Sequence, residues 1–399
     1  MNRFLWASYG MYLLGGSSSV FFGAVMPELL SHYHVTYTAG GFLALLGAVG
    51  FVVGVPITAA LMKRFHYRFI LSASALAVAA AQIGVCFLPN FLWVHVLVVL
   101  NGMGAAALET AVASYVMELF PGRRAIFMSR LEVSFGVGAL SLPAIASALI
   151  AVHVWRFTSL FIGVFALVLA LVWQFVSVSL ESSQSDAMSG SKDARTAPAP
   201  KFTGKLSKYS TLMMFLVMIL IYVGVEGSLN NFLPSVFLVY LKARPYAASL
   251  SSSAFWGAMV VGRLGMGWLV QRISYERYLF GSIAAGFVFF LLLTQSHIPW
   301  FSYATVLGLG SGLSAVYSIT MVYANHTFPG MERTVTSAIT AFAGLGGAVF
   351  PAVIGYAMDH LFPRQVMLLI LGFIVILLAA FLTIYFSLLV IRGRSLRLE

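Results

Sequence analysis

The sequence has few charged residues and almost no cysteine. Only 9% of its 399 residues are charged, whereas about 25% is usual in a soluble domain. The single cysteine, Cys86, cannot form an internal disulfide, and one cysteine does not suffice for a metal-binding cluster. Because 60% of the residues are hydrophobic, a single water-soluble core of this length would leave much apolar surface uncovered. The composition therefore excludes a soluble enzyme, a disordered chain and a disulfide-stabilised scaffold.

The sequence also lacks a nucleotide-binding signature. No G-x-x-x-x-G-K-[ST] segment occurs in it, and no stretch has the composition of a soluble domain that would hold one. We therefore predict no cofactor, no metal and no enzymatic activity. If the protein transports a solute, the gradient of an ion or of the solute itself must drive the movement.

What the sequence does contain is a succession of long apolar segments. A membrane-spanning helix needs about 20 mostly apolar residues, and twelve segments meet this length. They lie near residues 6–30, 40–62, 69–88, 92–119, 127–151, 157–180, 209–238, 249–270, 279–296, 299–325, 335–358 and 365–390. The sequence therefore predicts an all-α membrane protein with twelve transmembrane helices, called spans 1 to 12, surrounded by membrane lipid.

The basic residues predict how the spans are oriented. With twelve spans both termini lie on one side, and 18 of the 23 Lys and Arg residues fall at the termini or in the loops of that side. Basic loops remain in the cytoplasm, so both termini are predicted to be cytoplasmic, in the inner (plasma) membrane. The net charge of +11 then reflects this orientation and anionic lipid, and we predict no nucleic-acid partner.

Residues 181–208 form the longest polar interruption of the apolar pattern. The segment is rich in Ser, Ala, Pro and Lys, which is typical of a flexible linker. We therefore predict a six-helix bundle over residues 1–180, a cytoplasmic linker over 181–208, and a second six-helix bundle over 209–399.

Residues recur between the two halves at a fixed offset of 208 positions. The matched pairs are Phe120-Pro121-Gly122 with Phe328-Pro329-Gly330, Gly54 with Gly262, Arg64 with Arg272, Tyr67 with Tyr275, Tyr115 with Tyr323, Gly136 with Gly344, Gly138 with Gly346, and Pro143 with Pro351. The repeat indicates two pseudo-symmetric bundles related by an axis along the membrane normal. Carriers built in this way bind solute near the bilayer midplane, where the halves meet, and alternate between two access states. The repeat therefore favours a carrier over a channel.

A segment after span 8 resembles the loop signature of the major facilitator superfamily. It reads G-M-G-W-L-V-Q-R at residues 265–272 and is preceded by V-G-R-L at residues 261–264. In the family signature a Gly is followed four and five residues later by an acid or amide and by a base. The counterpart after span 2 keeps Arg64 but has Lys63 where the family usually places an acid. The resemblance implies the major facilitator fold, and gating roles for Arg64 and Arg272.

Three further segments resemble the fucose–galactose–glucose:proton symporter branch of that superfamily. They read Y-V-G-V-E-G-S-L-N-N-F-L-P at residues 222–234, G-A-A-A-L-E-T at 104–110 and G-L-G-G-A-V-F-P at 344–351. The resemblance implies proton-coupled symport of a sugar or a sugar-like solute. The sequence departs from the branch because residues 15–23 of span 1 contain no carboxylate, Ala113 replaces an Asn, and Glu132 replaces a His.

Three glutamates are embedded in the predicted spans, where a carboxylate costs roughly 2.5–3.5 kcal/mol. Glu109, which matches the family's acid in span 4, lies about 10 residues, or ~15 Å, from the cytoplasmic end of that span. Glu132 lies in span 5, nearer the cytoplasm, and Glu226 lies in the outer half of span 7. Since a carboxyl group in low dielectric can exchange a proton near neutral pH, we predict proton coupling through these three residues. A structural carboxylate with a hydrogen-bond or ion-pair partner is the alternative for each.

Arg263 is the one basic residue deep inside a predicted span, since Arg130 lies at the cytoplasmic end of span 5. A charge at this depth is tolerated only with a partner, so we predict an interhelical salt bridge or a gating role. Contact with an anionic substrate is the alternative, and three embedded acids against one base make an anion the weaker interpretation.

Polar and aromatic residues near the embedded acids are candidates for binding the solute. Asn230 and Asn231 follow Glu226 closely, and Glu226 and Asn230 share one helix face. Amides beside a carboxylate suit a hydroxyl-rich or amine-bearing ligand, and hydrogen bonding between helices is the alternative. The aromatic residues that could wall a cavity, with packing as their alternative, are Tyr115, Tyr222, Trp256, Tyr317 and Tyr323.

Together these features predict a proton-coupled secondary transporter of a small polar solute, working as a monomer by alternating access. Two other functions remain open. One is a proton-coupled exporter of cationic amphiphilic drugs, suggested by the embedded acids and many aromatics. The other is a non-transporting sensor or a passive channel on the same scaffold.

Overall fold

The computed structural model describes residues 2–120, 124–176, 205–269, 272–296 and 298–395. In these residues every regular element is a helix. The helices are α1 (Asn2–Tyr33), α2 (Tyr37–Leu61), α3 (Tyr67–Cys86), α4 (Phe91–Leu119), α5 (Arg124–Ala151), α6 (Phe157–Phe175), α7 (Lys205–Val239), α8 (Pro245–Leu269), α9 (Tyr275–Gln295), α10 (Pro299–Leu313), α11 (Val316–Thr327), α12 (Glu332–His360) and α13 (Pro363–Ser395). The prediction of an all-α protein is confirmed.

Eleven spans in the described residues are long and apolar enough to cross a membrane. They correspond to all the predicted spans except span 8. Helix α8 is 25 residues long, but its serines at 249 and 251–253 and its Arg263 make it more polar than the others. With α8 included, a helix is present at each of the twelve predicted spans.

Span 10 is broken, although the sequence predicted one continuous helix over 299–325. It consists of α10 and α11, which are separated by a turn at Ser314 and Ala315. Ala315 leaves the helical conformation, with φ −125° and ψ 10°. Apolar periodicity cannot reveal such a break, because the flanking residues are as apolar as those of an unbroken span.

Contacts between residues group the chain into two compact units. Among the described residues, the first unit contains α1 to α6 together with residues 230–257, which are the end of α7 and the start of α8. The second unit contains residues 205–229 and 258–395. The predicted linker at 181–208 lies outside the described residues apart from 205–208, which begin α7. The predicted division into bundles 1–180 and 209–399 stays a prediction.

In the first unit α4 packs against α2 and α3, α1 packs against α5, and α3 packs against α6. The start of α8 lies along α5, and its serines make the contact. Ser253 Oγ donates to the carbonyl of Leu140 at 2.8 Å, and Ser249 Oγ donates to the carbonyl of Pro143 at 3.3 Å. Two of the residues that lower the hydropathy of α8, Ser249 and Ser253, thus have their hydroxyl groups satisfied inside the unit.

In the second unit α9 packs against α10, α11 and α13, and α12 packs against α11 and α13. The predicted duplication is visible in the boundaries of these helices. Helix α4 ends at Leu119 and α11 ends 208 positions later at Thr327. The caps that end α4 and α11 also match, with φ −127° and ψ 61° at Phe120 and φ −121° and ψ 64° at Phe328.

Two matched glycines allow helices to approach each other closely. A Cβ atom at Gly138 of α5 would overlap the backbone carbonyl oxygen of Leu13 in α1. A Cβ atom at Gly346 of α12 would likewise overlap the carbonyl oxygen of Leu220 in α7. Since small residues let membrane helices pack backbone to backbone, each glycine fixes one helix pair within its own unit.

Replacing Gly346 by alanine should therefore destabilise the protein. The added methyl group forces α7 and α12 apart, at a cost of about 1–3 kcal/mol for an overpacked contact. The measurement is thermal unfolding of the purified protein in detergent, followed by intrinsic fluorescence. Gly372→Ala in α13 is the matched control, because nothing lies within 4 Å of its added Cβ. Equal unfolding temperatures for the two variants would contradict the close-packing assignment.

Candidate functional site

Glu109 lies in the middle of α4, half-buried in the first unit. Its carboxylate rests against α1, since a Cβ built on Gly15 would be 3.2 Å from Glu109 Oε1. The buried Tyr12 of α1 donates its hydroxyl to the backbone carbonyl of Glu109 at 3.3 Å. Within the described residues no basic side chain forms an ion pair with Glu109. The Glu109 carboxylate thus lies against α1 at Gly15, and no basic side chain of the described residues neutralises its charge.

Glu132 of α5 is exposed, yet its charge acts on both Glu109 and Tyr12. Two carboxylates in one another's field disfavour the doubly ionised state. The arrangement of Glu109 and Glu132 therefore favours the binding of a positive charge, for which a proton is the smallest candidate.

A buried hydrogen-bond network lies on the same helices and was not predicted. Asn101 Oδ1 accepts hydrogen bonds from Ser18 Oγ at 2.7 Å and from Gln82 Nε2 at 2.9 Å. The three side chains come from α4, α1 and α3. Isolated Ser, Asn and Gln residues in apolar helices were the only available sequence signal, and several others occur in the chain. Only the packing of the three helices brings these particular ones together.

Both the oxygen and the nitrogen of the Asn230 side-chain amide form hydrogen bonds. Its Oδ1 accepts a hydrogen bond from Trp256 Nε1 at 2.9 Å, and its Nδ2 donates to the carbonyl of Ser19 at 3.2 Å. Trp256 is buried and meets Phe135 edge to face, with ring centroids 6.1 Å apart. This amide therefore connects α7 to α1 and α8 inside the first unit, and Asn231 beside it is half-buried.

Two of the predicted cavity aromatics occupy matched packing positions in the two units. Tyr115 meets Tyr67 edge to face at 5.7 Å, and Tyr323 meets Tyr275 at 6.2 Å in a tilted arrangement. Both pairs are related by the 208-residue offset. Tyr317 is half-buried on α11. The Tyr115 and Tyr323 rings therefore have packing partners that follow from the duplication.

In the second unit Glu226 pairs with Arg263. The Arg263 Nη2 atom lies 3.6 Å from Glu226 Oε1, and the two side chains are 24% and 16% exposed. Tyr222, one turn before Glu226 on α7, is fully buried, and the charge of Glu226 acts on it. In contrast to Glu109, the carboxylate of Glu226 has a cation next to it.

The same two partners of Glu226 also contact the break in span 10. Arg263 Nε donates to the carbonyl of Ser314 at 3.1 Å. The Tyr222 hydroxyl donates to the carbonyl of Leu313 at 2.8 Å. Leu313 is the last residue of α10 and Ser314 is its cap, so these carbonyls belong to the helix end that lacks intrahelical partners.

The remaining predicted residues lie away from these clusters. Arg64 and Arg272 are both exposed in turns that follow α2 and α8, and their gating roles stay predictions. A fourth acid was overlooked: Glu28 lies half-buried in α1, which continues to Tyr33 although span 1 was predicted to end at residue 30. Among the described residues no group of three His, Cys, Asp or Glu side chains could hold a metal ion.

A helical membrane protein of two duplicated halves with buried charges is the architecture of a secondary transporter. The sequence model of the Major Facilitator Superfamily matches residues 6–351. The chain therefore belongs to the Major Facilitator Superfamily, as its loop signature predicted, and it is a multi-pass membrane transporter rather than an enzyme. The predicted major facilitator fold is confirmed.

Individual relatives agree with this assignment. The chain is 26% identical to the glucose/mannose transporter GlcP of Bacillus subtilis (strain 168), over 88% of this chain and 87% of that protein. It is 25% identical to a glucose/galactose transporter of Brucella abortus, over 84% of this chain and 82% of that protein. The crystal structure of the nucleoside transporter NupG shares the fold, with a TM-score of 0.77, 12% identity, and coverage of 96% of this chain and 98% of that one.

Because the Asn230 amide accepts a hydrogen bond from Trp256, we predict that the effects of replacing these two residues on stability are not additive. Asn230→Ala should destabilise the protein by about 1–3 kcal/mol, because the buried Trp256 N–H loses its acceptor. In a Trp256→Phe background the same replacement should cost less, since that donor is already gone. The measurement is the unfolding temperature of both single variants and the double variant. Strictly additive shifts would contradict the hydrogen bond.

Proposed function

We propose that this transporter is a proton-coupled symporter of a small sugar or sugar-like solute that works by alternating access. The observation that carries the proposal is the environment of Glu109. Its carboxylate lies half-buried in the middle of α4, against α1, with a second acid in its field and no basic ion-pair partner in the described residues.

Such a carboxylate is suited to bind a proton in one access state and release it in the other. Ionised in an apolar surrounding, it bears a desolvation cost that no nearby cation offsets. Protonation removes that cost, and access to water restores the charge. Glu132 is the second acid of this proton site, and the Tyr12 hydroxyl positions the α4 backbone at Glu109.

The solute is proposed from chemistry and from the relatives together. The two curated relatives described above are named for glucose, mannose and galactose. Sugar hydroxyls need donors and acceptors at fixed positions beside apolar ring faces, and sites for small ligands supply a few polar groups within an aromatic wall. Asn230, Asn231 and Trp256 of the first unit are the proposed source of that combination. Solute contacts by Tyr115, Tyr222, Tyr317 and Tyr323 stay predictions from the sequence.

We propose that the protein lies in the inner (plasma) membrane and that both of its termini face the cytoplasm. The support is the distribution of charge, since 18 of the 23 basic residues fall on the side of the termini. The gating roles of Arg64 and Arg272 fit this orientation, because both arginines follow helices on that side. A monomeric state also remains a proposal.

Glu109→Gln should abolish proton-driven accumulation and preserve exchange. The amide keeps the shape of the side chain but cannot carry the proton, so labelled glucose should equilibrate without being concentrated. For one proton per solute, the native protein should accumulate glucose about tenfold per pH unit of inward gradient. The measurement compares counterflow with gradient-driven uptake in proteoliposomes.

The matched control for this variant is Glu118→Gln on the same helix, where the side chain is exposed. It should retain accumulation. If Glu109→Gln concentrates glucose as well as the native protein does, Glu109 is not the coupling group. If a sodium gradient drives uptake and a proton gradient does not, the proposal that the coupling ion is a proton is wrong.

A panel of solutes separates the proposed substrate class from the alternatives. Counterflow should be supported by glucose, mannose or galactose, because their hydroxyls match the amide groups of the site. A nucleoside and a cationic amphiphilic dye should fail to compete for counterflow at the same concentration. Transport of the dye alone, into the lumen of inside-out vesicles, would replace the sugar proposal with drug export.

A further inference from the structure

The break in span 10 occurs where two side chains of other helices bind its carbonyls. Tyr222 on α7 holds the carbonyl of Leu313, and Arg263 on α8 holds the carbonyl of Ser314. Backbone carbonyls without partners cost several kcal/mol each in the interior of a membrane. A helix can therefore break at this depth only if neighbouring groups satisfy the carbonyls that the break releases.

The geometry of Arg263 fits two tasks at once. Its Nε points to the Ser314 carbonyl while its Nη2 faces the Glu226 carboxylate. A guanidinium has several donors in a rigid plane, whereas a lysine ammonium is a single point charge. The negative end of the α10 dipole also favours a cation at this helix end.

The first half of the chain provides an internal comparison. At the offset of 208 positions, Tyr222, Glu226 and Arg263 correspond to Leu14, Ser18 and Val55. The break residues Leu313 and Ser314 correspond to Ala105 and Ala106, which lie inside the unbroken helix α4. Where the capping side chains are missing, the duplicated span is continuous, and where they are present, it is broken.

We propose that Tyr222 and Arg263 are positioning residues that hold the break of span 10 open, and that Glu226 serves as the fixed counter-ion of Arg263 rather than as a proton carrier. The break gives this span a flexible joint of the kind that a moving transporter requires. The role of Glu226 rests on the proposed proton coupling, whereas the roles of Tyr222 and Arg263 do not.

Hydrogen–deuterium exchange of the purified protein tests the positioning role without substrate or gradient. In Tyr222→Phe and in Arg263→Lys, amides of residues 311–320 should exchange about fivefold faster, the factor expected for one lost hydrogen bond. Arg263→Lys keeps the positive charge beside Glu226 but loses the planar pair of donors. The equivalent α4 segment, residues 103–112, should exchange as in the native protein, which shows that the variants are folded.

Matched controls change the same residue types elsewhere in the second unit. Tyr209→Phe on α7 and Arg277→Lys on α9 alter exposed side chains, and they should leave exchange at 311–320 unchanged. Native exchange at 311–320 in both Tyr222→Phe and Arg263→Lys would overturn the positioning role. Equal acceleration in the controls would overturn it as well.

The Glu226→Gln variant distinguishes a counter-ion role of Glu226 from a proton-carrier role. As a counter-ion, Glu226 anchors Arg263, so this variant should slow counterflow about fivefold at unchanged KM while still concentrating glucose under a proton gradient. Loss of accumulation with native counterflow would instead make Glu226 a coupling group. If neither the native protein nor any variant concentrates glucose, the proposed function fails, and the exchange experiment still decides the positioning role.

Discussion

The cost of leaving a polar group without a partner in the hydrocarbon interior governs this structure. Water is excluded there, so every backbone carbonyl, hydroxyl and charge must find its partner within the protein. Ser249 and Ser253 of α8 meet this requirement by donating to carbonyls of α5. The amide of Asn230 meets it by bonding Trp256 and the carbonyl of Ser19. The side chains of Ser249, Ser253 and Asn230 thus fix particular contacts between helices.

The same constraint separates two of the three embedded acids, Glu109 and Glu226, for which the sequence predicts the same role. Glu226 lies beside Arg263, and the pair also satisfies a helix end. Glu109 lies beside α1, where the charge of Glu132 acts on it and no basic side chain of the described residues forms an ion pair with it. A neutralised carboxylate has little reason to bind a proton, whereas an unneutralised one gains from doing so. The difference between their surroundings therefore assigns them different proposed tasks in one transport cycle.

Duplication supplied two similar halves, and divergence at a few positions made them unlike. Helix ends and caps are still matched 208 residues apart, as at Phe120 and Phe328. The close contacts made by Gly138 and Gly346 are also retained, since both bring a helix against a neighbouring backbone. The first half carries Glu109 in a continuous α4. The second half carries a tyrosine, an acid and a base around a broken span.

The sequence by itself determined the class of fold, because apolar length, basic loops and a fixed repeat depend on local composition and on chain order. It also identified Glu109, Glu226 and Arg263, since charges inside apolar segments are conspicuous. Only the tertiary structure decided which charge meets which, that Tyr12 lies at Glu109, and that span 10 breaks at Ser314. Those outcomes depend on how helices distant in sequence pack, and pairing across helices leaves no periodic signal along a single chain.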